Sequence, residues 1–179
     1  MDLSWRFDLW FALLPRSPRD AGRVEQIVLR PTSKERVTPR TIAVDPERGI
    51  VGDRWFDDPR RSLESQVSLM NVNVLRSIAG GEERMQLAGD NLVVDLDLCE
   101  DNLPAGTRLL IGTAELEITS KPHRGCRSFV ERFGESAAKR VARAGRRGRR
   151  GRGMFARIVR AGTIQVGDAI AVCRPDTNA

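Results

Sequence analysis

The most reactive side chains of this sequence lie together in the segment KPHRGC, residues 121–126. This segment contains the only histidine, His123, and one of the three cysteines, Cys126. An apolar alternating segment, typical of a strand, precedes it, and an arginine-rich segment that is predicted to be helical follows it. The thiol is therefore predicted near the start of that helix. Thiols at helix N-termini or beside cations favour the thiolate, which attacks electrophiles and binds metals. Cys126 is therefore the best candidate for a reactive or metal-binding thiolate; the alternative is a small buried cysteine beside surface arginines.

The other two cysteines are weaker candidates. Cys99 lies beside Glu100 and Asp101, whose negative charges oppose thiolate formation, and Cys173 follows an apolar strand where it is expected to pack. A structural zinc site needs four ligands, usually in paired clusters, and a Cys–His hydrolase needs partners that meet in the fold. One histidine three residues from one cysteine supports both sites only weakly. Three unevenly spaced cysteines without a CxxC pair do not predict a disulfide framework.

Composition predicts one domain with a packed core. The chain has 179 residues, of which 40% are hydrophobic. No apolar run reaches the roughly 20 residues of a membrane-spanning helix. The segment LSWRFDLWFALLP, residues 3–15, carries two charges and lacks the features of an export signal. We therefore expect a cytoplasmic protein without a membrane span.

The net charge of +6 is concentrated in one part of the chain. Residues 121–160 hold 14 of the 30 basic residues and two of the 24 acidic ones, which leaves 16 basic against 22 acidic residues elsewhere. Within this part, KRVARAGRRGRRGRG at 139–153 reads as a flexible basic loop that joins a helix to the last strands. Contact with an anionic cofactor or an acidic redox partner is one alternative. Nucleic-acid binding is less expected because no aromatic residue interrupts the run.

The elements that must position the 121–126 segment are predicted from hydrophobic periodicity. Residues 1–21 form a helical appendage whose helix ends at Pro15, residues 22–175 form the main domain, and residues 176–179 form a tail. Strands are predicted in GRVEQIVLRP (22–31), RTIAVD (40–45), NLVVDLDL (91–98), the hairpin TRLLIGTAELEITS (107–120) and MFARIVRAGTIQVGDAIAVC (154–173), the last with two strands. The segment QVSLMNVNVLRSIAGG (66–81) mixes a short strand with a helix that ends at its two glycines. Further helices are predicted in CRSFVERFG (126–134) and ESAAKRVARAG (135–145). This pattern predicts a mainly β antiparallel barrel or sandwich with a few short helices.

Five segments, in order, resemble the MOSC domain, named for the C-terminal domain of molybdenum cofactor sulfurases. They are GIVGDRW (49–55), LAGDNLVVDLDL (87–98), LPAGTRLLIGTAELEIT (103–119), KPHRGCRSF (121–129) and RGMFARIVRAGTIQVGD (152–168). The resemblance covers about residues 22–173 and implies a β-barrel of mixed topology, as in a short stand-alone branch of the family. Many members carry a His-Gly-Gly stretch after the GD turn, whereas this chain has FDDPRRSLESQ (56–66) there.

The resemblance implies binding of the molybdenum cofactor, a molybdopterin, with Cys126 as ligand of the metal. It also implies an oxidoreductase that reduces small N-oxygenated substrates with electrons from a separate protein. A family-level association with pyridoxal phosphate binding is also implied. Its implied cofactor contacts are Asp53, Arg54, Asn91, His123, Arg124, Arg127 and Arg152.

Two other functions stay open at this point. Cys126 could instead carry a persulfide for transfer to a metallocofactor, as a sulfur carrier. The arginine run could make the chain a non-enzymatic nucleic-acid binder.

Overall fold

The computed structural model describes residues 9–174. Its strands are β1 (Ala21–Ile27), β2 (Thr41–Asp45), β3 (Gly49–Ile50), β4 (Val67–Asn71), β5 (Leu92–Asp95), β6 (Arg108–Ile111), β7 (Ala114–Ile118), β8 (Met154–Arg160), β9 (Gly162–Gln165) and β10 (Ala169–Cys173). Its longer helices are α1 (Val72–Ala79) and α2 (Arg127–Arg146), and short 3₁₀ turns occupy Leu63–Ser65 and Glu82–Ala88.

Seven strands close into a barrel in the order β1-β10-β6-β7-β8-β4-β5, with β5 paired back to β1. The strand pairs are antiparallel except β4 with β5, which run parallel. A parallel pair needs a crossover of a dozen or more residues, and α1 with the following 3₁₀ turn supplies it. A three-stranded sheet, β3-β2-β9, lies beside the barrel. The mainly β barrel of mixed topology, which the family resemblance implies, is confirmed, whereas the antiparallel expectation from the strand pattern is wrong at this one pair.

The strands follow the hydrophobic pattern, with local exceptions that have physical causes. In β1 the register shifts between Val24 and Gln26, and this bulge lets Val24 and Ile27 both point into the core although they are three residues apart. The predicted hairpin is confirmed as β6 and β7, which turn at Gly112 with a φ of +57°. The closing segment contains three strands, β8 to β10, and not the two predicted, because the chain turns again at Gly167.

The core has two parts, one inside the barrel and one under the helices. The barrel interior is filled by aliphatic side chains from its strands, whereas β5 also buries Val93 on its outer face. There Val93 joins a second cluster with α1 and Phe129 of α2. Asn71 caps the start of α1 by accepting hydrogen bonds from the amides of Asn73 and Val74, and left-handed Gly80 ends the helix.

The predicted N-terminal helix is described only in part, because residues 1–8 lie outside the described residues. Residues 9–12 are helical and the helix ends before Pro15, as expected. Trp10, Phe11 and Leu14 pack against the second cluster. The predicted tail, residues 176–179, also lies outside the described part. Among residues 9–174, the helices are all too short or too polar to cross a membrane.

The prediction of a flexible basic loop at residues 139–153 is wrong. Residues up to Arg146 belong to α2, and the chain then folds back tightly on that helix. A Cβ at Gly151 would lie 2.6 Å from the Cβ of Ala144, so this glycine permits close packing. The guanidinium of Arg150 donates to the carbonyl of Leu103 at 2.7 Å, and Arg152 is buried. Gly151 and Gly153 of the run therefore permit close contact with the backbone of neighbouring segments.

Candidate functional site

The segment between β7 and α2 carries the predicted reactive residues, and the barrel anchors it at its start. The Thr119 amide donates to the carbonyl of Phe155, and the Thr119 hydroxyl donates to the carbonyl of Glu64 at 2.7 Å. Lys121 donates through Nζ to the Ser65 hydroxyl at 3.0 Å. These contacts come from β8 and from the 3₁₀ turn before β4. The path of the chain toward Cys126 is therefore set by the barrel.

Cys126 is the N-cap residue of α2, as the sequence predicts. Its carbonyl accepts hydrogen bonds from the amides of Phe129 and Val130, at 3.0 and 3.3 Å. Its side chain makes no capping hydrogen bond, and the residue is exposed. The sulfur is thus accessible at the positive end of a helix, where an anion is stabilised. The alternative of a buried cysteine at this position is wrong.

Cys126 stands at the edge of a cavity, here called the first cavity, with a volume of about 690 Å³. The lining is strongly cationic, with one carboxylate, that of Asp90. Its seven basic residues are Arg30, Arg36, Arg54, Lys121, Arg124, Arg132 and Arg152. A concave site with this charge favours an anionic ligand.

Three largely buried titratable groups line this cavity: Asp90, His123 and Arg152. Arg152 donates through Nη1 to Oδ2 of Asp90 at 2.6 Å and stacks over the ring of Phe129, 4.6 Å from its centroid. His123 lies against the ring of Phe155, with the centroids 4.1 Å apart. Its Nδ1 is 3.6 Å from Oδ1 of Asp90, which is too long for a hydrogen bond. Phe129 therefore packs against the arginine of this ion pair, and Phe155 packs against the imidazole.

Burial, opposed by the charge of Asp90 and assisted by the charges of Arg152 and Arg30, lowers the pKa of His123 to about 4. The imidazole is therefore neutral at physiological pH. Three buried atoms of this group have no hydrogen-bond partner in the described structure: Oδ1 of Asp90, Nδ1 of His123 and Nε of Arg152. Buried polar atoms are almost always paired, so these three are available to a ligand.

Asp53 and Asn91, which the family resemblance assigns to cofactor contact, lie behind the cavity and are absent from its lining. The Asp53 carboxylate accepts from Nε and Nη2 of Arg30 at 2.9 and 3.0 Å, and Arg30 also donates through Nη2 to the Asn91 side chain at 3.0 Å. Asn91 donates to Asp53 at 3.0 Å and bonds to the amide and hydroxyl of Ser68. This network fixes Arg30, which lines the cavity. Their observed role is to position that arginine.

Three further arginines converge near Arg30. Burial, followed by the positive charges of Arg132, Arg30 and Arg54, lowers the pKa of Arg36 below its ordinary value. The Nε of Arg36 is buried without an acceptor. Like charges held this close repel one another, and a bound anion would relieve that repulsion. These arginines come from the segments that follow β1 and β3, from the loop after Pro31 and from α2.

The structure therefore brings together part of the predicted set. Cys126, His123, Arg124, Arg54 and Arg152 line the first cavity. Arg127 does not: its side chain is 93% exposed and pairs with Glu131 at 2.9 Å on the same helix. The stretch at residues 56–66 contributes nothing to the lining, so its difference from the MOSC pattern falls outside this cavity.

Sequence reasoning missed several residues of the cavity wall. They are Arg30, Arg36, Ser68, Asp90, Arg132 and Phe155. The position of Arg30 before Pro31 at the end of the first strand was the one local signal, because strand ends commonly carry functional side chains.

The other two cysteines lie outside this site. Burial, a hydrogen bond to the Asp97 carboxylate, and the charges of Asp97 and Asp101 raise the pKa of Cys99 to about 12. This agrees with the expectation that Cys99 is unreactive. The expectation that Cys173 packs in the core is wrong, because the alternation of β10 buries Ile170 and leaves Cys173 exposed. Among residues 9–174, His, Cys, Asp and Glu side chains form no group of three or more that could hold a metal ion.

Comparison with known proteins relates this geometry to one family. The sequence model of the MOSC domain matches residues 50–171. The fold is similar to that of YuaD from Bacillus subtilis, with a TM-score of 0.60 and 21% identity over 85% of this chain and 95% of that one. It is also similar to YiiM from Geobacillus stearothermophilus, with a TM-score of 0.59 and 16% identity over 88% and 78%. YiiM from Escherichia coli gives a TM-score of 0.58 and 18% identity over 88% and 72%. Comparison with the curated proteins gives no match.

Proposed function

This chain belongs to the MOSC domain family, and we propose that it binds the molybdenum cofactor in the first cavity and reduces N-oxygenated compounds. The observation that carries the proposal is an accessible thiol, Cys126, at the edge of a cavity lined by seven basic residues. A pterin cofactor with a terminal phosphate is an anion with many polar ring atoms. The charge and the unpaired polar atoms of the cavity suit both features.

The residues present fit the cofactor in three ways. A thiolate is a soft ligand of the kind that molybdenum accepts, and Cys126 would provide it. The phosphate would be held by Arg36, Arg132 and their neighbours, since guanidinium groups bind phosphate oxygens bidentately. The unpaired Nδ1 of His123 and Oδ1 of Asp90 supply hydrogen-bonding atoms for the polar ring atoms of the pterin. When bound, the cofactor would supply two-electron reduction with oxygen-atom transfer at the metal.

The protein's own groups then have defined tasks. His123 is neutral at physiological pH and packs on Phe155, so it adds no charge to the cavity and can accept or donate one hydrogen bond at Nδ1. The Asp90–Arg152 pair keeps the cavity floor rigid. We propose that the electrons come from a separate protein, as the family resemblance implies.

The test is metal loading in a host that makes the cofactor. Wild type, Cys126→Ser and the matched control Cys173→Ser, which alters an exposed cysteine outside the cavity, are purified in parallel. We expect molybdenum in the wild type and in Cys173→Ser, and a much lower molybdenum content in Cys126→Ser. The rate at which each protein reduces an N-hydroxylated compound with an artificial electron donor should vary with its molybdenum content. Metal near zero in all three proteins would refute cofactor binding. Equal loading in all three would remove Cys126 as the ligand.

The exposure of Cys126 also favours a second candidate, the sulfur carrier. An accessible thiol at a helix N-terminus can hold a persulfide and present it to an acceptor. Its test is the intact mass after exposure to a cysteine desulfurase and cysteine. A gain of one sulfur that is removed by a reductant, absent in Cys126→Ser and independent of bound metal, would select this function over the first. An unchanged mass would exclude it.

A further inference from the structure

A second cavity, with a volume of about 580 Å³, lies next to the first. It is lined by one face of α2, by the segment 119–125 and by residues 150–154. Both cavities use Lys121, Pro122, His123, Arg124 and Arg152 in their walls. A volume of this size accommodates a small organic molecule.

The α2 face of the second cavity is apolar and built from small side chains. Its members are Val130, Ala138, Val141, Ala142 and Gly145. Ala138, Val141, Ala142 and Gly145 lie on one face of the helix after the kink at Gly134, and Val130 lines the cavity from the part before the kink. A Cβ at Gly145 would meet no atom within 4 Å, so the space above it is open. Met154 adds an adaptable apolar contact from β8.

The remainder of the wall is cationic. Basic side chains from Lys121, Arg124, Arg146, Arg150 and Arg152 face one carboxylate, that of Glu100. Arg152 is the most constrained of them, since its side chain is 7% exposed and Asp90 holds its Nη1. Its Nε is buried and has no acceptor in the described structure. A ligand with an oxyanion head would satisfy this donor and the local charge.

We propose that the second cavity binds a small amphiphilic anion, with an apolar body against α2 and a carboxylate or similar oxyanion against Arg152. The binding site goes beyond the function proposed above and does not depend on the cofactor. Because the two cavities share a wall, such a ligand would lie beside a cofactor in the first cavity. A role of this ligand as the substrate or as a regulator of the reaction, in contrast, rests on the proposed function.

The probe is 4-phenylbutyrate, with the neutral 4-phenyl-1-butanol as its matched partner. Both are titrated against the purified chain by ligand-observed NMR. Two variants test the location. Gly145→Trp fills the open space over α2, and Ser136→Trp places the same side chain at an exposed position of α2 that lines neither cavity. Thermal melts of both variants establish that they are folded.

We expect saturable binding of 4-phenylbutyrate and at least about tenfold weaker binding of the alcohol. The affinity for 4-phenylbutyrate should fall by at least about tenfold in Gly145→Trp but not in Ser136→Trp. Equal affinity for acid and alcohol, no saturation, or equal effects of the two tryptophans would each overturn the proposal. Molybdenum content is measured on the same samples. A chain that loads metal but does not bind 4-phenylbutyrate refutes this inference alone, and one that binds the acid without loading metal refutes only the proposed function.

Discussion

The Asp53 carboxylate accepts two hydrogen bonds from the Arg30 guanidinium, from Nε at 2.9 Å and from Nη2 at 3.0 Å. The aspartate side chain is only 1% exposed. The carboxylate also accepts from the amide of Trp55 and from Asn91. Asp53, a residue of the GD turn, thus orients Arg30, which follows β1, toward the first cavity. The role of the GD turn is therefore to orient a neighbouring cation.

The first prediction concerns this pair. Asp53→Ala leaves the Arg30 guanidinium, which is largely buried, without its counter-charge and should lower the free energy of unfolding by about 3 kcal/mol. Urea denaturation monitored by circular dichroism measures this change. The matched control is Asp58→Ala, which removes the pair with the exposed Arg60 and a hydrogen bond from the Arg60 amide, and should lower the free energy of unfolding much less than Asp53→Ala does. Similar losses in both variants would contradict the positioning role of Asp53.

The second prediction uses the single histidine of the chain. Burial lowers the pKa of His123 from 6.5 to about 4, so the unfolded chain binds the extra proton first as the pH falls. The free energy of unfolding should therefore decrease between about pH 6.5 and pH 4, by up to about 3 kcal/mol from this group, and His123→Phe should lack this part of the decrease. Outside this pH range, His123 does not contribute to the change of the free energy of unfolding with pH.

NMR measures this pKa directly, because one histidine gives one set of imidazole signals in a protein without an affinity tag. The titration should have its midpoint near pH 4 in the native protein. A midpoint at the ordinary value of about 6.5 would mean that the imidazole is hydrated. That outcome would contradict the buried contact with Phe155.

The third prediction compares two glycines of α2. Gly134 has a φ of +82° and a ψ of 166° and kinks the helix, whereas Gly145 is helical with open space around it. Gly134→Ala should destabilise the fold by about 1–3 kcal/mol, because this conformation is nearly restricted to glycine. Gly145→Ala should stabilise it by roughly 0.5–1 kcal/mol, because alanine has the higher helix propensity. Thermal melts of the two variants, each the control for the other, should shift in opposite directions.

The fourth prediction separates the three cysteines by reactivity. A pKa of about 12 leaves Cys99 with, on the order of, a thousandfold less thiolate than an ordinary cysteine at neutral pH. Iodoacetamide should therefore alkylate Cys126 and Cys173 in the native protein and spare Cys99. Peptide mass spectrometry over a time course measures this order. Alkylation of Cys99 at the rate of the exposed pair would indicate that its surroundings open readily.

Much of the scaffold could be predicted because its signals are local. The alternation around Leu109 and Leu116, with a glycine between the two strands, identifies the hairpin from neighbouring residues alone. The helix after Cys126 was predicted in two parts, and the structure breaks it at Gly134, where the two parts met. The family match then confirms the barrel that these elements form.

The site itself was predicted only in part. Asp53 and Asn91 belong to the family segments, but their spacing gave no sign that both act on Arg30, which lies 23 and 61 residues away. Arg127 belongs to the same segment as Cys126, yet helix geometry turns it to solvent. Cys126 and Arg127, which are adjacent in sequence, therefore have different surroundings, whereas Asp53 and Asn91 contact Arg30 although they are distant from it in sequence.

By itself the sequence determined the β-rich scaffold, the thiol at the start of a helix and the concentration of positive charge after residue 120, because periodicity, capping and charge are properties of neighbouring residues. Only the tertiary structure decided which cations face the thiol. Closure of β5 onto β1, and the packing of α2 beside the barrel, bring Arg30, Arg36 and Arg132 into one cavity. Such convergence depends on contacts between distant segments, and hydrophobic patterning along the chain does not encode it residue by residue.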